Sequence, residues 1–290
     1  MDKLTIIIIN WNGGKVLGDC LASIYASEPW GDAFEVFLID NASTDKSQMR
    51  ASQAYPSLKL IQNSKNLGFA RAINQVLPKA QGDFILLLNP DVKLHPEAIS
   101  IMANFMKDHQ DAAVVGPKLL NPDGTTQGSA RKAPSLLTGL FGRNAILTKL
   151  FPKNPLSRQE MPGLDYKGEY PLKVDWVSGA CLMVRREAYE QVGFMDDHFF
   201  LFWEDADWCL RFAQGGWKVY FYPLAEATHY VGISRSQRPL KSVVDFHTSA
   251  YRFYRKHELS TPTHPMIILL VGGLMLSFSA RFIQALFTKR

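Results

Sequence analysis

The sequence predicts an α/β fold, a mostly parallel sheet with helices on both faces. Three observations lead there. Residues 4–9 form an unbroken aliphatic and β-branched run, as expected of a strand covered on both sides. Strand-like and helix-like patterns then alternate through residue 115, the signature of parallel strands joined by crossover helices. Polar clusters follow the strands at 10–12, 40–44 and 89–91, where such a sheet binds its ligands.

Each element has its own signal. Leu17, Cys20, Leu21 and Ile24 recur at helical spacing after the first strand. Residues 34–39 read as a second strand ending at Asp40, 58–61 as a third, 84–88 as a fourth and 112–115 as a fifth. Helices are expected over 68–77 and 96–106. Residues 174–184 read as paired strands around Gly179, 204–213 as a helix stopped by Gly215-Gly216, 217–222 as a strand and 240–259 as a helix of mixed charge.

Residues 118–174 are irregular and rich in Pro, Gly and Lys/Arg. They hold nine basic against four acidic residues, equal to the whole net charge of +5. Leu136, Leu137, Leu140, Phe141, Ile146, Leu147, Leu150 and Phe151 suggest an amphipathic helix there, with Arg143 and Lys149 interspersed. Such a helix either lies on an anionic bilayer or packs on the core.

Length and composition narrow the classes. At 290 residues, 47% hydrophobic and 20% charged, the chain can bury a full core without staples. Cys20, Cys181 and Cys209 are odd in number and scattered, which excludes a disulfide framework and a CxxC zinc cage. The basic excess is too small and too dispersed for a nucleic-acid binder. The N-terminal apolar run is too short for a signal peptide. From Pro265 the chain runs uncharged over MIILLVGGLMLSFSA to Arg281 and ends Thr288-Lys289-Arg290. A span needs about 20 apolar residues. The favoured reading is a membrane-seated or re-entrant helix, ahead of a buried core helix and a full span.

Several residues could carry chemistry. Asp40 can accept hydrogen bonds from a ribose or base edge, or cap a helix. Asp91, in Asn89-Pro90-Asp91, can hold Mg²⁺ or Mn²⁺ through few protein oxygens, or close an Asx turn. Glu204 and Asp205 sit among Phe199, Phe202, Trp203 and Trp208; an apolar wall raises a carboxylate's pKa and suits a general base. The plainer account is acidic residues favouring a helix start. Trp176 and Trp203 are candidate platforms for an acceptor sugar. His229 is either a structural hydrogen-bonder or a metal ligand near Asp91. No GxGxxG, Walker loop, GxSxG or HExxH is present.

Taken together, the motifs IIIINWNG (6–13), DNASTD (40–45), NLGFARAIN (66–74), LLLNPDV (86–92), VSGACLMVRREAYEQVGFMD (177–196), FWEDADWCLR (202–211) and HYVGISR (229–235) resemble glycosyltransferase family 2, in particular its bacterial rhamnosyltransferase-like members. The resemblance runs from about residue 4 to 235. It implies a GT-A fold, Rossmann-like, with a nucleotide-sugar half over 1–117 and an acceptor half over 118–235. A helical extension over 236–264 and a hydrophobic, membrane-associated tail over 265–290 would follow.

By motif, Asn10, Trp11 and Asp40 would line the nucleoside pocket, and Arg71 and Asn74 would approach the nucleotide or its diphosphate. Asn89-Pro90-Asp91 stands where the family has its DxD-type motif, with neutral Asn89 in place of the first acid. Asp91 and His229 would hold Mg²⁺ or Mn²⁺. Asp205 would be the catalytic base, with Glu204 beside it. The implied enzyme is an inverting, metal-dependent glycosyltransferase, with dTDP-rhamnose as the favoured donor and a lipid-linked saccharide as acceptor. Its expected place is the cytoplasmic face of the cell membrane, as a monomer or homodimer. A UDP-hexose donor, a non-catalytic nucleotide-sugar-binding component and a nucleotidyltransferase are the alternatives. The last would want a glycine- and Arg/Lys-rich loop after the first strand, where only Lys15 is basic.

Overall fold

The computed structural model describes residues 3–27, 34–134, 161–164, 166–231, 238–259, 261 and 266–287. The amphipathic segment expected over 136–151 lies outside them.

The strand β1 (Leu4–Asn10) is buried along its whole length, as its apolar run requires. It pairs in parallel with β2 (Phe34–Asp40) on one side and β4 (Phe84–Leu88) on the other, and β3 (Lys59–Gln62) adds to β2. The register sets Asn10 beside Asp40 and Ile8 beside Leu88. The three polar clusters therefore leave the sheet along one rim. The order continues through β10 (Cys181–Arg185), β6 (Ala112–Leu120) and β11 (Lys218–His229) to β5 (Val92–Leu94), with β8 (Leu172–Val174) also on β11.

Two strand expectations change. Residues 174–184 do not fold back on each other around Gly179. β9 (Trp176–Val177) pairs with β7 (Ala130–Arg131), while β10 enters the main sheet antiparallel between β4 and β6. The strand expected over 217–222 continues to His229, because an irregularity between Tyr222 and Glu226 absorbs Pro223, which a regular ladder would not tolerate.

The helices α1 (Gly14–Tyr25), α2 (Ser47–Ala54) and α4 (Ala98–Asp108) flank the sheet. Leu17, Leu21, Ala51 and Met102 pack there with Ile6 and Leu86. On the other face Ile7 and Leu87 meet α3 (Phe69–Asn74), α5 (Arg186–Val192) and α6 (Glu204–Gln214). α3 is shorter than its pattern suggested, since Pro78 lacks an N–H and disfavours helix at Leu77.

A third layer holds α7 (Pro239–His257) and α8 (Met266–Phe287), packed through Phe199, Ala206, Phe253, Tyr254 and Leu270. α8 turns one side to α7, where Ser277 meets His247 at 3.1 Å and Arg281 lies 4.6 Å from the Phe246 ring. Its opposite face exposes Ile268, Met275, Leu276, Ile283 and Leu286. Among the described residues no helix is long and apolar enough to cross a membrane.

Candidate active site

At the β1 and β2 end of the rim lies a closed polar network. Asn10 is fully buried; its Nδ2 donates to Asp40 Oδ1 at 2.9 Å and lies 3.1 and 2.9 Å from the Ser43 and Ser47 hydroxyls. Asn10 Oδ1 accepts the Gly13 N–H at 3.1 Å, and Asp40 Oδ2 accepts the Ser43 N–H at 3.0 Å. A Cβ at Gly13 would stand 2.4 Å from Asn10 Oδ1, so the loop needs glycine there. Asp45 accepts from the Gly14 and Ser47 N–H groups and takes the capping work, leaving Asp40 to shape the pocket floor. Trp11 is half-buried beneath Arg238, whose guanidinium lies 5.2 Å from its ring.

Arg71 and Asn74, expected at the diphosphate, point elsewhere. Arg71 Nε donates to Asp197 Oδ2 at 3.2 Å, and Asn74 Nδ2 donates to the Met195 carbonyl at 2.7 Å. The reason is the docking of α3 on the 195–200 segment. The Phe69 N–H donates to the Phe200 carbonyl at 2.8 Å, and a Cβ at Gly68 would meet that oxygen at 2.4 Å. Both side chains clamp the segment that leads into α6.

Asp91 and His229 do come together. The β5–β11 pairing sets Val92 opposite His229, and His229 Nε2 lies 3.4 Å from Asp91 Oδ1. His229 Nδ1 faces Gln127 Oε1 at 3.0 Å. A nitrogen lone pair and a carboxylate oxygen meeting at this distance repel unless a proton or cation lies between them. The donor set of one carboxylate oxygen and one imidazole nitrogen suits Mn²⁺, and Mg²⁺ through the oxygen. The residues thus fit a divalent cation. Asn89 contributes its backbone at this rim, with its N–H on the Ala180 carbonyl at 2.8 Å. Asp196, Asp197 and His198 also gather within 4.8 Å, but Lys256 and Arg71 already compensate the two carboxylates.

The turn that leads into α6 is strained. Phe202 and Trp203 hold φ of 68° and 70°, left-handed values that cost bulky residues. They deliver Glu204 and Asp205 to the first turn of α6. Asp205 Oδ2 accepts the Gly179 N–H and Oδ1 accepts its own helix's Ala206 N–H, both at 2.8 Å. A Cβ at Gly179 would lie 3.2 Å from the Asp205 Cβ. Burial raises the Asp205 pKa and outweighs these N–H groups and the charge of Arg131. Glu204 is buried, and Oε2 has no hydrogen-bond partner among the described residues. Burial, helped by the charges of Asp205 and Asp207, pushes its pKa well up.

The two sides meet through two consecutive residues. Gly179 donates to Asp205, and the next residue, Ala180, accepts from Asn89 beside Asp91. Asp205 and the Asp91–His229 pair therefore flank one rim.

Trp176 and Trp203 are both half-buried. Trp176 donates its indole N–H to the Lys132 carbonyl at 2.9 Å, with Arg131 4.8 Å from its ring. Trp203 packs on Phe246, Phe253 and Tyr254, and its buried Nε1 has no partner among the described residues. Asp207, two residues past Asp205, is fully buried between His257 and Lys256, each at 2.7 Å, and Arg211 at 2.9 Å. Burial works to raise its pKa, but the bonds from His257 and Lys256 hold it below the usual carboxylate range. The sequence reading missed Asp207 as a strut, Gly179 as the contact that admits Asp205, and Gln127 behind His229. All three cysteines are buried and free.

Comparison with known proteins decides the family. Residues 5–193 match the family model described as Glycosyl transferase family 2. The chain belongs to glycosyltransferase family 2. An N-acetylglucosaminyl-diphospho-decaprenol L-rhamnosyltransferase of Mycobacterium tuberculosis is 31% identical over 95% of this chain and 91% of its own length. A dTDP-rhamnosyl transferase of Shigella flexneri is 23% identical over 67% of the chain and 56% of its own. This glycosyltransferase is thus rhamnosyltransferase-like. Its backbone is similar to GalNAc-T7 crystallised with UDP, GalNAc and Mn²⁺, at TM-score 0.61 and 17% identity, over 96% of this chain and 55% of that one. S. aureus TarS 1–349 gives TM-score 0.55 at 16% identity, over 97% and 82%. The fold is GT-A-like.

Proposed function

We propose that this family 2 glycosyltransferase moves L-rhamnose from dTDP-L-rhamnose to an N-acetylglucosaminyl diphospho-lipid in polysaccharide biosynthesis, inverting the anomeric centre. The observation that carries the reading is the Gly179-Ala180 segment, whose Gly179 N–H binds the Asp205 carboxylate and whose Ala180 carbonyl accepts the Asn89 N–H. The names and lengths of the mycobacterial and Shigella relatives support the donor and acceptor.

The roles follow from the chain's own groups. The Asn10–Asp40 network holds the nucleoside side of the donor in one geometry. Asp91 and His229 would hold Mg²⁺ or Mn²⁺, which supplies charge neutralisation on the departing diphosphate. Asp205 takes the proton of the acceptor hydroxyl as that oxygen attacks the anomeric carbon. Its raised pKa makes it a stronger base than an exposed aspartate, and general-base help is worth about 10²–10⁴ in rate. When protonated, Glu204 can donate a hydrogen bond beside it. One displacement needs no carboxylate nucleophile, in contrast to a retaining glycosidase. Arg71 steadies the 195–197 segment from its ion pair with Asp197.

The exposed apolar face of α8 would rest on the cytoplasmic leaflet, near a lipid-anchored acceptor. Purified enzyme given dTDP-L-rhamnose, a GlcNAc-diphospho-lipid and Mn²⁺ should form a rhamnosylated lipid, with the anomer inverted by NMR and the reaction stopped by EDTA. Faster turnover of a UDP-hexose overturns the donor; full activity in chelator removes the metal role; retained configuration removes Asp205 as simple base. Loss of membrane sedimentation on deleting 265–290 is expected, and unchanged sedimentation refutes the α8 contact.

A further inference from the structure

Residues 120–127 close a tight turn after β6. The Asn121 N–H donates to the Thr125 carbonyl at 2.7 Å, and Gly124 supplies the positive φ of 82°. Its side chains form a line whose direction is determined. Asp123 is held below the usual carboxylate range chiefly by the Thr125 hydroxyl, so it only accepts. Thr125 therefore gives its hydroxyl hydrogen to Asp123 Oδ1 at 2.6 Å, and its oxygen accepts from Asn121 Nδ2 at 2.8 Å.

Asn121 Oδ1 then faces Gln127 Nε2 at 3.0 Å. The same nitrogen lies 2.9 Å from the His229 carbonyl and 3.2 Å from the Leu120 carbonyl. Three acceptors around Nε2 leave the Gln127 amide one orientation. Oε1 is thus an acceptor, 3.0 Å from His229 Nδ1, and the ring carries its hydrogen on Nδ1.

We infer that Gln127 is a positioning residue: set by the 121–125 turn, it fixes His229 as the Nδ1–H tautomer and aims the Nε2 lone pair at Asp91. This rests on the cation reading of Asp91 and His229. A ligating histidine needs its second nitrogen held by such an outer partner, whose loss costs about 10–100-fold in metal affinity.

The test uses the full chain without donor, reading Mn²⁺ affinity by EPR titration and the His229 ring by ¹H–¹⁵N NMR. Gln127→Leu should weaken Mn²⁺ by about 10–100-fold and abolish the Nδ1–H pattern in the metal-free protein. Gln127→Glu, which keeps an acceptor at that position, should restore the pattern. Thr125→Val, on the exposed turn, should weaken Mn²⁺ in the same direction but less, and carries the test if Gln127→Leu does not fold. An unchanged Nδ1–H pattern in Gln127→Leu overturns the inference, as does wild-type Mn²⁺ affinity in Thr125→Val where that variant carries the test. So does wild-type Mn²⁺ affinity in Gln127→Leu while His229→Ala loses it. Wild-type Mn²⁺ affinity in His229→Ala instead sinks the cation reading beneath it.

Discussion

The donor and acceptor sides of this rim differ in how they treat their polar groups. Around Asn10 and Asp40 every polar contact is made within the chain, by side chains and loop N–H groups held 2.9–3.1 Å apart. Around Glu204, two consecutive residues adopt left-handed backbone, and the Glu204 Oε2 and Trp203 Nε1 are buried with no partner among the described residues. The Asn10–Asp40 network, proposed to hold the nucleotide, is satisfied by its own bonds although Asn12, Ala42 and Lys46 beside it also take left-handed backbone. A pocket that must move a proton keeps a carboxyl desolvated and lightly bonded, because a fully solvated one would be a weaker base.

That contrast can be broken from either side. Asp205→Asn should lower kcat by about 10²–10⁴ while donor affinity, read by thermal shift, stays near wild type. In the wild type, kcat/KM should fall as pH drops through the raised Asp205 pKa. A mutant with normal turnover would mean the unsatisfied side is not where the proton goes. Asp207→Ala strips the buried His257 of its ion partner and Lys256 and Arg211 of one each, and should cost about 3–5 kcal/mol of stability by denaturant melt. Since its folded pKa is lowered, Asp207 stabilises above its unfolded pKa and loses that contribution as pH falls, so the mutant's deficit should shrink in acid.

On the satisfied side, Asn10→Ala strips partners from Asp40 and the Gly13 N–H, and should cost about 1–3 kcal/mol together with donor affinity. Loss of affinity without loss of stability would show that the network is held by ligand, not by itself. The smallest effect belongs to Glu204→Gln. Glu204 has a raised folded pKa, so it favours folding below its unfolded pKa and loses this as pH rises. The neutral isostere should melt close to wild type in acid and increasingly above it toward alkaline pH. Parallel melting curves across pH would show that the Glu204 pKa is not raised.

The rim itself was readable from sequence because strands declare themselves: the apolar runs end at Asn10, Asp40 and Leu88, and register does the rest. The partners of α3 were not readable. Arg71 and Asp197 stand 126 positions apart, and nothing in NLGFARAIN says which surface it docks on. The same holds for Gln127, 102 positions from His229, and for β10, whose apolar run carries no mark of direction. The α6 carboxylates were found through their aromatic neighbours, yet Phe202 and Trp203 turned out to be packing for α7 and Trp208 for the core.

The reversed strand has one more consequence. Because β10 threads between β4 and β6, the acceptor half donates a central stave to the sheet of the donor half. A division near residue 117 would not be one of architecture: neither side closes the sheet without the other, so fragments cut there should fail to fold apart and recover structure only when mixed. Nucleotide seated at one end of the rim would accordingly tighten hydrogen-exchange protection in both halves together.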